Sequence, residues 1–151
     1  MKFYVISFLL AFTQASVITG LFVSNLYVPD LVLLYLFLHT SKQEKVDVKK
    51  PLISGLYLDL MYDTFGWNIS GKMLVSLFLE IFKSRWEFAT RLSLIIFYGF
   101  VALLEHLFRY ILFRLKYYYP FDLRTFFLGF SIELFLLYLL TLFIIKKHAQ
   151  T

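Results

Sequence analysis

Two aspartates lie four residues apart in an apolar stretch, GLYLDLMYDTFGWN at 55–68. Residues four apart share one face of a helix, so Gly55, Asp59 and Asp63 form one stripe. An acid inside a membrane span costs about 2.5–3.5 kcal/mol, and ion or proton transport is its first functional interpretation. The TFGWN that follows is typical of a turn, so we expect Asp63 to cap that turn or the next helix, and only Asp59 to lie deep. We predict that both acids stabilise helix packing.

A second charged group lies in LLEHLFRYILFR, residues 103–114. Glu105 and Arg109 are four apart with Glu first, which is the favoured order for a helical ion pair and lowers the cost of both charges. A lone histidine, His106, is more typical of a hydrogen-bonded core residue than of a metal ligand. Glu133 lies in the middle of the last apolar segment, and Arg109 is its candidate partner.

These residues do not form a recognisable catalytic set. Acid–base or nucleophilic catalysis needs a nucleophile–base pair or clustered acids with a metal, and neither pattern is present in the sequence. The chain has no cysteine, no glycine-rich phosphate loop and no histidine cluster. We therefore predict a protein that is not an enzyme and needs no metal or cofactor.

The composition indicates a membrane protein. Of the 151 residues 60% are hydrophobic and only 17% are charged, and the mean hydropathy is +0.75. A soluble domain of this size would need far more surface charge. The fold class predicted is all-α, a polytopic transmembrane helical bundle that forms one integral membrane domain over residues 1–151. The net charge of +5 lies between apolar runs, where it favours membrane orientation over nucleic-acid binding.

About six spans are expected. About 20 apolar residues cross a bilayer as helix, and three segments reach that length: 3–23, 92–113 and 123–145. Three others are shorter, 28–40, 51–65 and 69–82, and can be accommodated by a thinner bilayer or by shelter within the protein.

The positive charges predict that both termini are cytoplasmic. Lys2 precedes the first span, and further cations fill the connection SKQEKVDVKK at 41–50, recur around 83–91 and end the chain at 146–147. The two intervening connections, 24–30 and 66–70, carry none. One connection disagrees, because FRLKYYYPFDLR at 113–124 is basic but should face outward, where its aromatics and cations would meet the lipid interface.

The first span carries small residues at the spacing that lets helices approach closely. Ala11 and Ala15 form one such pair, and Ser16 and Gly20 form another. We expect this face to pack against another helix, within the fold or in another protein.

The chain resembles the rod shape-determining membrane protein MreD family. In NLYVPDLVLLYLFL, 25–38, Pro29 and Asp30 open an apolar run as in the second segment of that family. A short basic loop follows, and then PLISGLYLDLMYDTFGWNISGKMLV is similar to the family's Asp-bearing helix, glycine turn and short helix. The matching positions are Gly55, Leu56, Asp59, Asp63 and Gly66. The family more often has a small residue at the position of Asp63, and often a Pro at that of Thr64.

The resemblance implies a role, a location and partners. Members of that family act without catalysis in the cell-elongation machinery, which shapes rod-like bacteria through peptidoglycan synthesis. They lie in the cytoplasmic (inner) membrane and bind the bitopic protein MreC. Through MreC they meet the actin-like MreB filament and the peptidoglycan synthases. Their fold is similar to the substrate-binding subunits of energy-coupling-factor vitamin transporters.

Two alternatives remain open. Such a vitamin-binding subunit shares the size and span count, and often docks through an Ala-xxx-Ala face like Ala11 and Ala15. The connection SNLYVPD at 24–30, however, is short for a substrate-binding loop. A small-molecule or proton transporter would use Asp59, Glu105 and Glu133, but the internal symmetry expected of one is not visible.

Overall fold

The computed structural model describes residues 1–22, 27–43, 45–64, 66–83, 85, 90–118 and 120–148, without the side chains of 83 and 143–148. Within these ranges the regular structure is all helical, which confirms the predicted class. The six helices are α1 (Lys2–Thr13), α2 (Leu31–Ser41), α3 (Lys49–Tyr62), α4 (Trp67–Lys83), α5 (Arg91–Lys116) and α6 (Leu123–His148).

Three of the described helical segments are long and apolar enough to cross a membrane. They are Lys2–Leu21, Arg91–Lys116 and Leu123–Leu142. The first consists of α1, a π turn at Gln14–Ile18 and a 3-10 turn at Thr19–Leu21, which follow one another without a break. The other three helices are shorter, with 11, 14 and 17 residues in α2, α3 and α4.

Neighbouring helices alternate in direction, as side-chain contacts along them show. Phe3 of α1 packs on His39 near the end of α2, and Lys72 of α4 meets Glu105 in the second half of α5. Glu133 of α6 meets His106 of α5. The start of α1 and the ends of α2, α4 and α6 therefore lie together. We name this end of the bundle the basic end.

The apolar core lies between α2, α4, α5 and α6. Its largest cluster of buried side chains comprises Leu33, Leu34, Phe37, Val75, Leu79, Phe97, Tyr98, Val101, Ala102 and Leu137. Against them α1 and α3 pack as a second group, in which Ala11, Val32 and Leu58 are buried. Within α2, α4 and α5 the residues of this cluster repeat at helical spacing, so each of these helices contributes one apolar stripe to the centre. Helix α6 contributes Leu137.

Helix α2 begins deep inside the bundle. Pro29 and Asp30, which precede it, are buried, and Asp30 lies beside Glu133 near the middle of α6. Gly129 of α6 makes room for this segment, since an added Cβ there would lie 2.0 Å from the Tyr27 carbonyl oxygen. Non-helical backbone at such depth requires shelter by protein, and the surrounding helices supply it.

The connection between α5 and α6 is tied to the same segment. The backbone N–H of Asp122 donates to the Tyr27 hydroxyl at 2.8 Å. Asp122 caps α6, and the hydrogen bonds from the Thr125 hydroxyl and the Arg124 N–H lower the pKa of its exposed carboxyl.

Candidate functional site

Asp59, the buried acid of α3, joins α3 to the start of α4. Its carboxylate accepts five hydrogen bonds: from the Thr64 hydroxyl (3.0 Å), the N–H groups of Gly66 (3.1 Å), Asn68 (2.9 Å) and Ile69 (3.0 Å), and the Asn68 side-chain amide (3.0 Å). The first N–H groups of a helix have no partner in the helix itself, and the N-terminal end of the dipole favours a negative charge. The Asp59 carboxylate accepts hydrogen bonds from these N–H groups and places a negative charge at the start of α4.

Asp63 occupies a different place from the one expected for a cap. It ends α3 in the left-handed region at φ 54°, and its side chain is exposed. Of the two caps expected of Asp63, on the turn or on the next helix, the cap on α4 is made by Asp59, one turn earlier. Asp59 is buried in the protein, whereas Asp63 is exposed. Gly66, at φ 92°, allows the chain to turn between α3 and α4.

Gly55 brings α3 and α4 into backbone contact. A Cβ added to Gly55 would lie 2.6 Å from the Cα of Ile69 and 2.9 Å from the carbonyl oxygen of Asn68. The close approach expected of this glycine is therefore present, and it sets the spacing that lets Asp59 reach the next helix.

A buried lysine, Lys72 of α4, lies at the centre of the bundle. Its ammonium donates to Asp30, which caps the start of α2, and to Glu105 Oε1 at 3.0 Å. All three side chains are fully buried. Gly71 permits the approach, because a Cβ there would lie 2.7 Å from Glu105 Oε1. One cation therefore neutralises an acid on each of two other helices.

Arg109 continues this network along α5. Its Nη2 lies 3.5 Å from Glu105 Oε2, so the ion pair predicted from the four-residue spacing is present, with Asp30 Oδ2 3.7 Å from Nη1. Arg109 Nη1 donates to Asn68 Oδ1 at 3.0 Å. The arginine thereby links the Lys72 cluster to the Asp59 cap through Asn68.

His106 separates Glu133 from the arginine expected to pair with it. Arg109 Nη2 lies 2.7 Å from His106 Nδ1, and His106 Nε2 lies 2.9 Å from Glu133 Oε2. Arginine only donates, so Nδ1 accepts and Nε2 carries the hydrogen that is donated to Glu133. The expectation that His106 is a hydrogen-bonded core residue agrees with these contacts. Glu133 also accepts from the Tyr98 hydroxyl and from the Asp30 N–H.

Gln14 ties the first span to the second helix. Its Oε1 accepts from the N–H groups of Leu31 (2.9 Å) and Val32 (3.4 Å), and its side chain is fully buried in the π turn. Asp30 takes the N–H of Leu33, so the start of α2 is capped by two side chains. Asp30, which the family resemblance singled out together with Pro29, thus joins the start of α2 to side chains of α4, α5 and α6.

The small residues of the first span divide into two groups. Ala11 is buried, against Val32 and Leu58, and Ala15 is half-buried. Ser16 and Gly20 are exposed, and nothing lies within 4 Å of a Cβ added to Gly20. Ser16 and Gly20 come five and nine residues after Ala11, so helical spacing itself places this pair on another face of the span. Because nothing among the described residues lies against Gly20, the packing partner left for this pair is a helix of another molecule.

Sequence reasoning missed four members of the network. Lys72, Gln14, Asn68 and Tyr98 are all buried and all hydrogen-bonded to it. Lys72 carries the clearest signal, a cation five residues into an apolar helix. Gln14 was an interruption in a span, and nothing in the spacing of Asn68 or Tyr98 distinguishes it from a turn or a core residue.

The network includes two groups that do not exchange protons, Asn68 and Arg109. Hydrogen bonds run from Asp59 through Asn68, Arg109 and His106 to Glu133. A proton relay needs each member to take up and release a proton, but the Asn amide does not titrate and the Arg guanidinium stays charged. The arrangement therefore suits cross-linking of helices better than conduction. Removing one partner of a buried ion pair, such as Lys72 and Glu105, costs about 3–5 kcal/mol of stability.

The chain matches no protein-family model, no curated protein and no solved structure.

Proposed function

We propose that the protein is a non-enzymatic membrane scaffold of the bacterial cell-elongation machinery, in which it binds an MreC-like bitopic protein. The proposal joins the family resemblance to one observation: the buried acids are held by fixed donors on neighbouring helices. Asp30, Asp59, Glu105 and Glu133 contact α2, α4 and α5 through groups that the fold itself supplies. Their role is to hold the helices together.

Two cavities among the described residues are lined by residues other than these acids. One lies between α1, α2 and α6, and the other is lined by Phe78, Phe82, Ile96, Phe97 and Phe100. Neither is lined by any of the four acids. A solute carrier that used Asp59, Glu105 and Glu133 would need a path to them.

The outer helices offer broad surfaces for lipids and partner spans. Only 17% of the apolar window of Lys2–Leu21 and 28% of that of Leu123–Leu142 are buried within the protein. Ser16 and Gly20 lie on the exposed part of the first span, where small residues permit close approach of a second transmembrane helix. This surface suits the single span of a bitopic partner.

The role as a vitamin-binding transporter subunit is less well supported. Docking through an Ala-xxx-Ala face requires an exposed face, whereas Ala11 is fully buried and Ala15 half-buried by the chain's own helices. We therefore keep the scaffold as the single proposal.

Co-purification tests the scaffold. The tagged chain, extracted from its native membrane in mild detergent, is expected to recover a protein with one span and an extracytoplasmic coiled coil, identified by mass spectrometry. Gly20→Leu places a bulky side chain on the exposed face and should reduce that recovery several-fold. Leu128→Phe, on an exposed part of α6, is the matched control that should leave it unchanged.

Three outcomes would overturn the proposal. One is recovery of an ATPase module in place of the single-span protein. Another is a vitamin retained through purification. The third is steady solute uptake by the isolated chain in vesicles that disappears in Glu133→Gln.

A further inference from the structure

A groove between α1, α2 and α6 opens on the surface of the bundle. Its cavity volume is about 630 Å³. Eight aliphatic side chains line most of its length: Ile6, Leu10, Leu31, Leu34, Leu38, Leu136, Leu139 and Leu140. The remaining three lining residues, Tyr35, His39 and Lys42, lie toward the end of α2. The groove is thus apolar along one part and polar at the basic end.

The polarity gradient follows the helical spacing of α2. Leu31, Leu34, Leu38 and Lys42 lie on one face, spaced by three or four residues. From Leu31 to Lys42 the helix rises about 16 Å at 1.5 Å per residue. One leaflet of a hydrocarbon core about 30 Å thick has the same depth. The groove is therefore about as long as one leaflet is deep, and it has a cation at its end.

The polar end of the groove carries more positive charge than Lys42 alone. His39 packs on the Phe3 ring, with centroids 4.8 Å apart, and Lys50 Nζ lies 5.7 Å from the centroid of the same ring. Lys42 and Lys50 both act electrostatically on His39. The acid nearest to Lys50 in the described residues is Asp47, at 3.9 Å. This end offers cations and an aromatic hydroxyl to an anionic headgroup.

A lipid suits the groove better than a helix does. A flexible hydrocarbon chain is narrower than a helix, which is about 10 Å wide with its side chains, and it can follow the line of leucines. An anionic headgroup would meet the cations at the polar end. The occupant that fits both the shape and the charge is therefore an anionic bilayer lipid.

From these features we infer that the groove of α1, α2 and α6 is a binding site for one anionic phospholipid. An acyl chain lies along Leu31, Leu34, Leu38 and Leu139, and the phosphate lies at Lys42 and His39. This site is independent of the scaffold role, because it uses none of the residues proposed to meet the bitopic partner.

Lipid titration of the purified full chain tests the site. Native mass spectrometry in detergent would count bound lipid as phosphatidylglycerol, or phosphatidylcholine as the zwitterionic control, is added. We expect one phosphatidylglycerol to bind more tightly than any later one and more tightly than phosphatidylcholine. Lys42→Gln should weaken that first binding about fivefold, the loss expected for one lysine near an anionic headgroup.

Matched variants separate the groove from general surface charge. Lys45→Gln removes an exposed cation from the same connection without touching the groove, and should leave the first binding unchanged. Leu139→Trp fills the groove and should abolish the first binding, whereas Leu128→Trp on an outward part of α6 should not.

Several results would refute the site. Equal losses in Lys42→Gln and Lys45→Gln would show attraction to the surface only, and equal binding of both lipids would remove the headgroup contact. A dimer or partner complex that forms without lipid and is lost in Leu139→Trp would assign the groove to a protein occupant.

Discussion

At the scale of single residues, the buried acids differ from the exposed one by what surrounds them. Asp59 accepts five hydrogen bonds from a turn and a helix start, whereas Asp63, four residues later, is exposed at the end of α3. Their spacing predicts one stripe of a helix, but α3 ends at Tyr62, and only Asp59 has a neighbouring helix in front of it. Spacing alone gave them equal weight.

Replacement of Asp59 should therefore be far more harmful than replacement of Asp63. Asp59→Leu removes the acceptor of the Gly66, Asn68 and Ile69 N–H groups and leaves them unpaired, and we expect a loss of about 2–4 kcal/mol in the free energy of unfolding. Thermal unfolding in detergent would measure it.

The control at the neighbouring position is Asp63→Asn. Asparagine also tolerates the left-handed conformation, so the change should be within about 0.5 kcal/mol. Equal stability of the Asp59→Leu and Asp63→Asn proteins would contradict the capping role of Asp59.

At the scale of helices, glycines and polar caps decide which elements touch. Gly55 and Gly71 bring α4 against α3 and α5, and Gly129 admits the buried segment before α2. Gln14 and Asp30 then fix the start of α2 inside the bundle. Short helices that could not span a bilayer alone are held by these contacts.

A methyl group at Gly55 should separate α3 from α4. Gly55→Ala places a Cβ 2.6 Å from the Ile69 backbone, which cannot move without shifting α4, and we expect a destabilisation of about 1–3 kcal/mol. Chemical or thermal unfolding in detergent reports the change.

Gly20→Ala is the matched control for that substitution. Its Cβ meets nothing within 4 Å and alanine favours the helix, so stability should be unchanged or raised by up to about 1 kcal/mol. If both alanine variants unfold alike, the close approach of α3 and α4 does not limit stability.

At the scale of the whole molecule, the fold gathers most of its cations at one end. Ten of the 15 Lys and Arg residues belong to the basic end by their place in the chain. They are Lys2, Lys42, Lys45, Lys49, Lys50, Lys83, Arg85, Arg91, Lys146 and Lys147. Two more, Lys72 and Arg109, are buried in the network, and three lie around the α5–α6 connection. This asymmetry supports the prediction that the basic end is cytoplasmic.

Labelling of single cysteines tests that orientation directly. The chain has no cysteine, so Val48→Cys and Tyr118→Cys each carry one exposed thiol. In intact cells an impermeant maleimide should label Cys at 118 and not at 48, because positive connections are retained inside. After lysis both should react, which controls for accessibility. The reverse pattern in intact cells would mean that the basic connection at 113–124 sets the orientation.

The sequence by itself determined the class of the protein and the identity of most of its unusual residues. Apolar runs of span length predicted helices close to those observed, and the four-residue spacing predicted the Glu105–Arg109 pair. These features are local, because helix periodicity fixes which residues share a face. The burial of Asp59 was also predictable from the sequence, because residues 64–68 are typical of a turn that places Asp63 near the end of the helix.

Only the tertiary structure decided which faces meet. It joined Lys72 to Asp30 across 42 residues and to Glu105 across 33, and it placed His106 between Arg109 and Glu133. It also showed that Asp59 caps α4, where Asp63 was one candidate, and that Ser16 and Gly20 are exposed. Helix periodicity predicts which residues share a face, but it does not predict which neighbouring helix that face contacts. The choice of neighbour depends on where glycines allow close approach and on an arrangement that pairs all the buried charges together.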